Sequence, residues 1–363
     1  ILFFDEGLDS ATASTAGNYL ISGNTVVTAT AVPPLYNSVQ IKLATPLVPS
    51  TVYSVAVNNV TDCRGNAIAG NRQAQLGIAQ GVVVNDVVIN EILFNPKPNG
   101  ADYVELYNNS KKIIDLNKLY LANRNGNGVI SSLSRISDVP FFVFPSSYVV
   151  VTEDPLNLSL NYLVKDADAV LTVSSLASYP DDQGTVVLVD VNNIIADEVA
   201  YDDDWHFALI ADKEGVALER LDFNAASQNK GNWHSAATTA GYGTPGYKNS
   251  QTIGTANASA TIEIVTKVFS PDNDGIDDVA AICYNISESG YLANIIIFDI
   301  NGRRIKHLVK NAIPGLRGCW NWDGLDEKNQ KLPIGNYVIY AELFNLKGAK
   351  EQFKKTITLA RRF

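Results

Sequence analysis

Period-two alternation of apolar and polar positions dominates the chain. The segments VQIKLATPL (residues 39–47), TVYSVAVNNV (51–60), DYVELYN (102–108), TVVLVDV (185–191), ANIIIFDI (293–300) and YVIYAELFN (337–345) all carry it. Each is rich in Val, Ile, Tyr and Phe and is bounded by Asn, Gly, Pro or Asp. Such a pattern turns one face of a segment toward a core and the other toward water, so it predicts β-strands. Helical periodicity is nearly missing: SATASTAGNYL (10–20) and PLNLSLNYL (155–163) supply a turn or two at most. The predicted class is all-β, with several sandwiches in series.

Composition divides the series. The stretch NSQTIGTANASAT, Asn249 to Thr261, is small and polar apart from Ile253 and reads as a flexible connector. A second junction falls near Gln80 to Asp86, where one set of strands gives way to the next. The expected domains are therefore 1–81, 82–250 and 260–363. A chain of 363 residues with 46% hydrophobic content can fill two or three cores. It contains no methionine and opens in strand-like sequence, so it reads as the end of a longer protein. No apolar run reaches the ~18 residues that span a bilayer, and no signal-peptide pattern is present.

Charge is uneven. Residues 1–260 hold 14 Lys and Arg against 26 Asp and Glu, whereas 261–363 hold 14 against 12. An acidic front argues against nucleic acid as a partner, because phosphate-backbone binding needs clustered cations. The three cysteines, Cys63, Cys283 and Cys319, have no CxxC spacing, which removes zinc and thioredoxin-like readings. Cys283 and Cys319 fall in one domain, where they either pair or stay as buried thiols.

The densest candidate chemistry is FSPDNDGIDD, Phe269 to Asp278. In an EF-hand register that starts at Ser270, Asp272, Asp274 and Asp278 take positions three, five and nine, and Gly275 takes the sharp turn. Position twelve is Ala281, where a bidentate Glu belongs. Two readings stand: a weak Ca²⁺ site on Asp272, Asp274 and Asp278, or a solvated turn whose Asp side chains bond their own backbone. The run DEVAYDDDW, Asp197 to Trp205, crowds five carboxylates beside His206 and reads either as an acid/base or metal site or as a solvated acidic loop. His206, His234 and His307 are the only histidines, and G-x-S-x-G, H-E-x-x-H, P-loop and GxGxxG signatures are absent. No catalytic residue is expected, and the chain is read as no enzyme. Trp320 and Trp322 alternate on one strand and so share a face, to fill a core or stack on sugar rings. The sequons at Asn59, Asn157, Asn257 and Asn285 are chance matches on a bacterial reading.

Three resemblances follow. FDEGLDSATASTAGNYLISG with VQIKLATPLVPSTVYSVAVNNVTDCRGNAIAG resembles the bacterial Ig-like modules of S-layer and other surface proteins, with the opening strand truncated. VINEILFNPKPNGADYVELYNNS, IIDLNKLYLAN, GVALERLD and NWHSAATTAGYGTPGYKNS resemble a bacterial lamin-tail domain. Here Asn90 and Glu91 interrupt an apolar strand, and Tyr103, Glu105 and Tyr107 share a face of the next, which suggests a polar handle between packed strands. Trp233, Tyr242 and Pro245 are expected to cap that sandwich. FSPDNDGIDD, FDINGRR with an Asn-Gly two-residue hairpin, and WNWDGLDEKNQKLPIGNYVIYAEL resemble the FlgD-type and gliding-motility C-terminal Ig-like domains.

Together the resemblances imply three Ig-like β-sandwich domains at the end of a Bacteroidetes-type exported surface protein that serves display, adhesion or spacing. For the last domain they imply a type IX outer-membrane secretion and anchoring signal. Its basic end, Lys354, Lys355, Arg361 and Arg362, would face the export machinery or the anionic cell surface. Cell-surface components and glycans are the other expected partners, and Ca²⁺ is the only cofactor in view. The alternative is a set of accessory binding modules for an upstream secreted nuclease or glycan hydrolase.

Overall fold

A computed structural model describes the chain apart from residues 69–71, 211, 253–259, 347 and 362–363. Arg362 of the basic end and Asn257 therefore lie outside the described residues. Each of the six alternating segments overlaps a strand: Ser38–Leu43, Tyr53–Val57, Tyr103–Asn108, Gln183–Asp190, Tyr291–Asp299 and Gly335–Asn345. The two helical patterns give only Ser10–Ala13 and Pro155–Asn161, N-capped by Asp9 and Asp154. The protein is all-β.

The first compact unit holds two three-stranded sheets. Leu2–Phe3, Ser38–Leu43 and Val26–Ala31 form one, and Tyr19–Ile21, Tyr53–Val57 and Gln73–Leu76 the other. They close on a core of Leu8, Tyr19, Val39, Val55 and Val60. Residues 110–116 and 140–147 belong to this unit as well. Their strands Ile114–Asp115 and Phe142–Val143 pair, and Gln80 N–H reaches Ile113 O at 2.8 Å.

In the second unit, residues 83–109, 117–139 and 148–251 build two further sheets. A six-stranded sheet runs in the order Val170–Thr172, Tyr148–Thr152, Tyr103–Asn108, Val87–Leu93, Leu218–Arg220, Trp233–Ser235. A four-stranded sheet contains Ile130–Arg135, Leu119–Arg124, Gln183–Asp190 and Ile195–Asp202. All seven residues of Val87–Leu93 are buried, yet the strand carries Asn90 and Glu91. A register shift between Ile89 and Glu91 makes Asn90 the extra residue of a bulge, the device that re-aims a side chain out of regular alternation. Pairing to Leu218–Arg220 reaches no further than Glu91, so Ile89 needs other partners. The buried pair Arg220–Asp197 supplies them. Asp197 Oδ2 accepts from Ile89 N–H at 2.8 Å, and Arg220 Nε donates to Ile89 O at 2.7 Å.

The last sandwich sets Thr261–Ile264, Ala280–Asn285 and Arg317–Trp322 against a five-stranded sheet. That sheet is ordered Val268–Phe269, Lys350–Leu359, Gly335–Asn345, Tyr291–Asp299, Arg304–Ala312. Trp322 is fully buried at the centre, and Trp320 stacks on Tyr284 with ring centroids 4.3 Å apart, so the shared face of the two tryptophans is a core face. Cys283 and Cys319 are cross-strand partners joined in a disulfide, which decides between pairing and free thiols. The Asn-Gly turn differs from the expected two-residue loop. Asp299 N–H bonds Arg303 O across three residues, with Gly302 in the left-handed region at φ 79°. The Asp299 carboxylate caps Asn301 and Arg303 N–H, which favours the longer loop.

The connector expected from Asn249 begins as structure instead. Asn249 and Gln251 are buried, Ser250 O accepts from Leu316 N–H at 2.9 Å, and Gln251 Nε2 donates to Pro314 O at 3.1 Å. Thr238 and Ile313 exchange two hydrogen bonds, and Phe207, Leu292 and Ile313 form an apolar cluster over the same junction. The two sandwiches of the second unit therefore meet through a packed, hydrogen-bonded seam.

Candidate functional site

The polar handle is a ladder of carboxyls. Glu105, Glu91 and Glu219 are direct cross-strand partners on three adjacent strands, and all three are fully buried. Like charges opposite one another destabilise a sheet, and a buried unpaired carboxylate is costly. The strap Thr244–Gln251 answers with hydrogen-bond donors. Glu91 accepts from Tyr103 OH and Thr244 N–H, and Glu105 accepts from Asn90 Nδ2 and Gly246 N–H, both at 2.6 Å. Glu219 accepts from Ser250 N–H and Oγ, and from Gln251 N–H. Asn249 completes the seal by donating to Asn90 O, Asn90 Oδ1 and Arg220 O.

One contact reveals the protonation. The Thr244 hydroxyl lies 2.6 Å from Glu91 Oε2 and 2.9 Å from Glu219 Oε1. A hydroxyl has one proton to donate, so the two contacts are best served when one carboxyl brings a proton of its own and the hydroxyl accepts it. Burial pushes the pKa of all three glutamates up, and the neighbouring Glu91 adds to the rise at Glu105 and Glu219, the latter reaching about 8. The ladder is thus a hydrogen-bond-saturated seal in which burial favours the protonated form of its carboxyls. It offers no free carboxylate to a substrate.

The acidic run 197–204 is dispersed rather than clustered. Asp197 pairs with Arg220, Glu198 takes a bidentate bond from Arg124, Asp203 binds Lys213, and Asp204 binds Lys230. Asp202 caps the short 3-10 turn that follows. Strand alternation sends Asp197 and Glu198 to opposite faces, and Asp203 and Asp204 lie in the turn beyond the strand. A pairing invisible in sequence also appears: Ser235 Oγ and His206 Nδ1 lie 2.9 Å apart, both buried. Burial pushes the His206 imidazole down to about 4, and Ser235 Oγ already accepts from Phe207 N–H at 2.9 Å. The serine presents nothing to solvent. His234 bonds the carbonyl of Ser235, and His307 lies apart on Arg304–Ala312.

Asp272, Asp274 and Asp278 are brought together in an exposed turn, each with a carboxylate oxygen within 4.8 Å of the others. The turn joins two strands of the last sandwich, Val268–Phe269 and Ala280–Asn285, where an EF-hand loop would join two helices. Asp278 accepts from Asn273 N–H at 2.6 Å and Gly275 N–H at 2.8 Å, while Asp274 accepts from Ile276 N–H at 2.8 Å. Gly275 takes φ 85°, open to glycine at no steric cost. Ala281, at the place of the bidentate Glu, is a strand residue opposite Asn321. The carboxylates are arranged to cap the turn.

No curated protein matches the chain. Among solved structures, a DUF4876 family protein from Bacteroides thetaiotaomicron is 12% identical, covering 62% of this chain and 90% of its own, with a TM-score of 0.26. Latent PorU from Porphyromonas gingivalis is 11% identical over 92% of this chain and 26% of its own, with a TM-score of 0.22. PorZ of the same organism, described as a surface component of the type-IX secretion system, is 9% identical over 96% and 57%, with a TM-score of 0.24. Residues 1–76 match the model of the bacterial Ig-like domain, and residues 83–203 match that of the lamin tail domain, so that Glu91 and Glu105 lie inside the matched stretch while Glu219 and the strap follow it.

Proposed function

We propose that the chain is a non-catalytic region of an exported cell-surface protein that displays, spaces or adheres, and that residues 260–363 carry its secretion and anchoring signal. The observation that carries this reading is the seam between the lamin-tail sandwich and the last sandwich. Ser250 O to Leu316 N–H, Gln251 Nε2 to Pro314 O and the Phe207–Leu292–Ile313 cluster fix two modules against each other, as a spacer requires. The Cys283–Cys319 disulfide supports an oxidising, extracytoplasmic location.

The test is made in a gliding bacterium. The intact protein is expected to react with a membrane-impermeant amine reagent at the cell surface, and a form lacking residues 260–363 to stay in the periplasm. Equal surface labelling of both forms rejects the signal role. Retention of the intact protein in the periplasm rejects the surface role altogether.

A further inference from the structure

A cleft of about 1050 Å³ opens between the lamin-tail sandwich and the last sandwich. Lys165, Lys248 and Arg317 line it, and no carboxylate does, in a chain of net charge −10. We propose that this cleft binds an acidic oligosaccharide, with Lys165 and Lys248 on one sandwich and Arg317 on the other holding its carboxylate or sulfate groups. This names a ligand class for the adhesive role proposed above and rests on that reading.

Each cation is placed to receive a ligand. The Lys165 ammonium is steadied 3.9 Å from the centroid of the Tyr247 ring. Arg317 donates Nε–H to Asn285 Oδ1 at 3.1 Å, which aims the guanidinium while its terminal nitrogens make no hydrogen bond or ion pair among the described residues. Lys248 is exposed and has no carboxylate partner among the described residues. The remaining lining is rich in amides and hydroxyls, including Asn161 and Ser287, which suit sugar hydroxyls. Thr244 and Ser250 form the floor, with their hydroxyls turned down onto Glu91 and Glu219. Burial favours the neutral form of those carboxyls, so the floor opposes an anion less than its composition suggests.

The hydroxyl- and amide-rich lining favours a short acidic saccharide over a nucleic acid. Asp166 and Asp168 flank Lys165, and Glu288 follows Ser287, all exposed. A long polyanion that ran out of the cleft would meet these acids, whereas a short uronate or sulfated oligosaccharide can keep its charges on the three cations and its ring hydroxyls on the amides and hydroxyls of the lining. A ligand held by both sandwiches also stabilises the seam by linkage.

The experiment is calorimetric titration of the full chain at physiological ionic strength. Its probes are oligogalacturonate, a heparin-derived oligosaccharide, a neutral malto-oligosaccharide and a single-stranded oligonucleotide of matched charge. Binding of at least one acidic saccharide and not of the neutral one is expected, with affinity reduced about tenfold or more by Lys248→Glu together with Arg317→Glu. Both substituted side chains are exposed, so the unliganded melting midpoint should stay in place and separate lost binding from lost folding. Failure of both acidic saccharides to bind, equal binding of the neutral one, binding of the oligonucleotide alone, or affinity untouched by the double substitution overturns the proposal. Because this assay uses purified protein, its failure leaves the surface location to its own test in cells.

Discussion

Glu91 and Glu219 face each other as cross-strand partners, both fully buried, with the Thr244 hydroxyl bonded to the two of them. Two ionised carboxylates in that position would repel in a low dielectric. The arrangement persists because the strap delivers donors to the carboxyls and because a proton is retained. The residues that serve Glu219 also dock the last sandwich: Ser250 gives Glu219 its N–H and gives Leu316 its carbonyl. Ladder and seam are therefore one hydrogen-bonded system.

Stability should fall as pH rises through the ladder's titration. Glu219 is raised from an ordinary value near 4.5 to about 8, so between those values the folded state holds a proton that the unfolded state has lost. Such a contribution is full at low pH, shrinks through that window and is gone above it. Asp102, pushed up to about 7 chiefly by burial, adds to the fall, while His206, pushed down to about 4, opposes it below about 6.5. Glu91→Gln isolates the ladder. Its amide nitrogen can donate to Thr244 Oγ1 and its carbonyl can accept from Tyr103 OH and Thr244 N–H, as the protonated acid does. The expected result is a flatter melting profile from pH 5 to 8 than the wild type's; an identical slope refutes the shared proton.

Removing the carboxyl is different from neutralising it. Glu91→Ala leaves Thr244 N–H, Thr244 Oγ1 and Tyr103 OH without their buried acceptor and opens a cavity, so a loss of about 3 kcal/mol or more is expected. Denaturant unfolding measures it. A loss below about 1 kcal/mol would mean that the strap is not held by the ladder.

The seam can be opened from its apolar side. Ile313→Ser puts a hydroxyl into the Phe207–Leu292–Ile313 cluster beside the Thr238 exchange. Scanning calorimetry is expected to show the transition of the last sandwich separating from that of the lamin-tail sandwich. Joint melting in both proteins would locate their coupling elsewhere.

Alternation makes the strands legible, because most of them have one face in a core and one in water. The ladder is half legible. Asn90 and Glu91 stand out as polar residues in an apolar run, and Glu105 as a sharer of one face with Tyr103. Glu219 does not stand out as a ladder member, since Leu218–Arg220 is buried throughout and shows no alternation. The strap is hidden for another reason. Its small polar residues resemble a linker in composition, and their burial follows from backbone N–H groups meeting carboxylates 31 to 153 residues away, as Gln251 meets Glu219 and Gly246 meets Glu105. The Ser235–His206 contact is likewise made by folding, across 29 positions.

The disulfide gives a prediction of size. Cys283 and Cys319 are 36 residues apart, and in the chain-entropy account closing such a loop stabilises by about 3 to 4 kcal/mol. Cys283→Ser with Cys319→Ser should lower the midpoint of the last sandwich accordingly, and reduction of the wild type should match it. Neither change moving the midpoint would show that the bond adds nothing to a core already closed by Trp322.

The turn at Asp272, Asp274 and Asp278 yields the last prediction. Asp278 already uses both oxygens on the N–H groups of Asn273 and Gly275, and Asp274 uses one on Ile276, so a cation must share these carboxylates with the backbone. Ala281 supplies no bidentate ligand, which leaves the site short of the usual coordination. Affinity should then be weak, ~10⁻⁴ to 10⁻³ M as in extracellular modules. A ligand of the folded state stabilises it by RT ln(1 + [L]/Kd), about 1 kcal/mol at a few times Kd. Melting of the full chain in millimolar Ca²⁺ should therefore exceed melting in EDTA by a few degrees, and Asp274→Ala should erase the difference, because it removes a ligand while the two bonds of Asp278 still hold the turn. Equal midpoints in both buffers would reduce the carboxylates to caps of their own backbone.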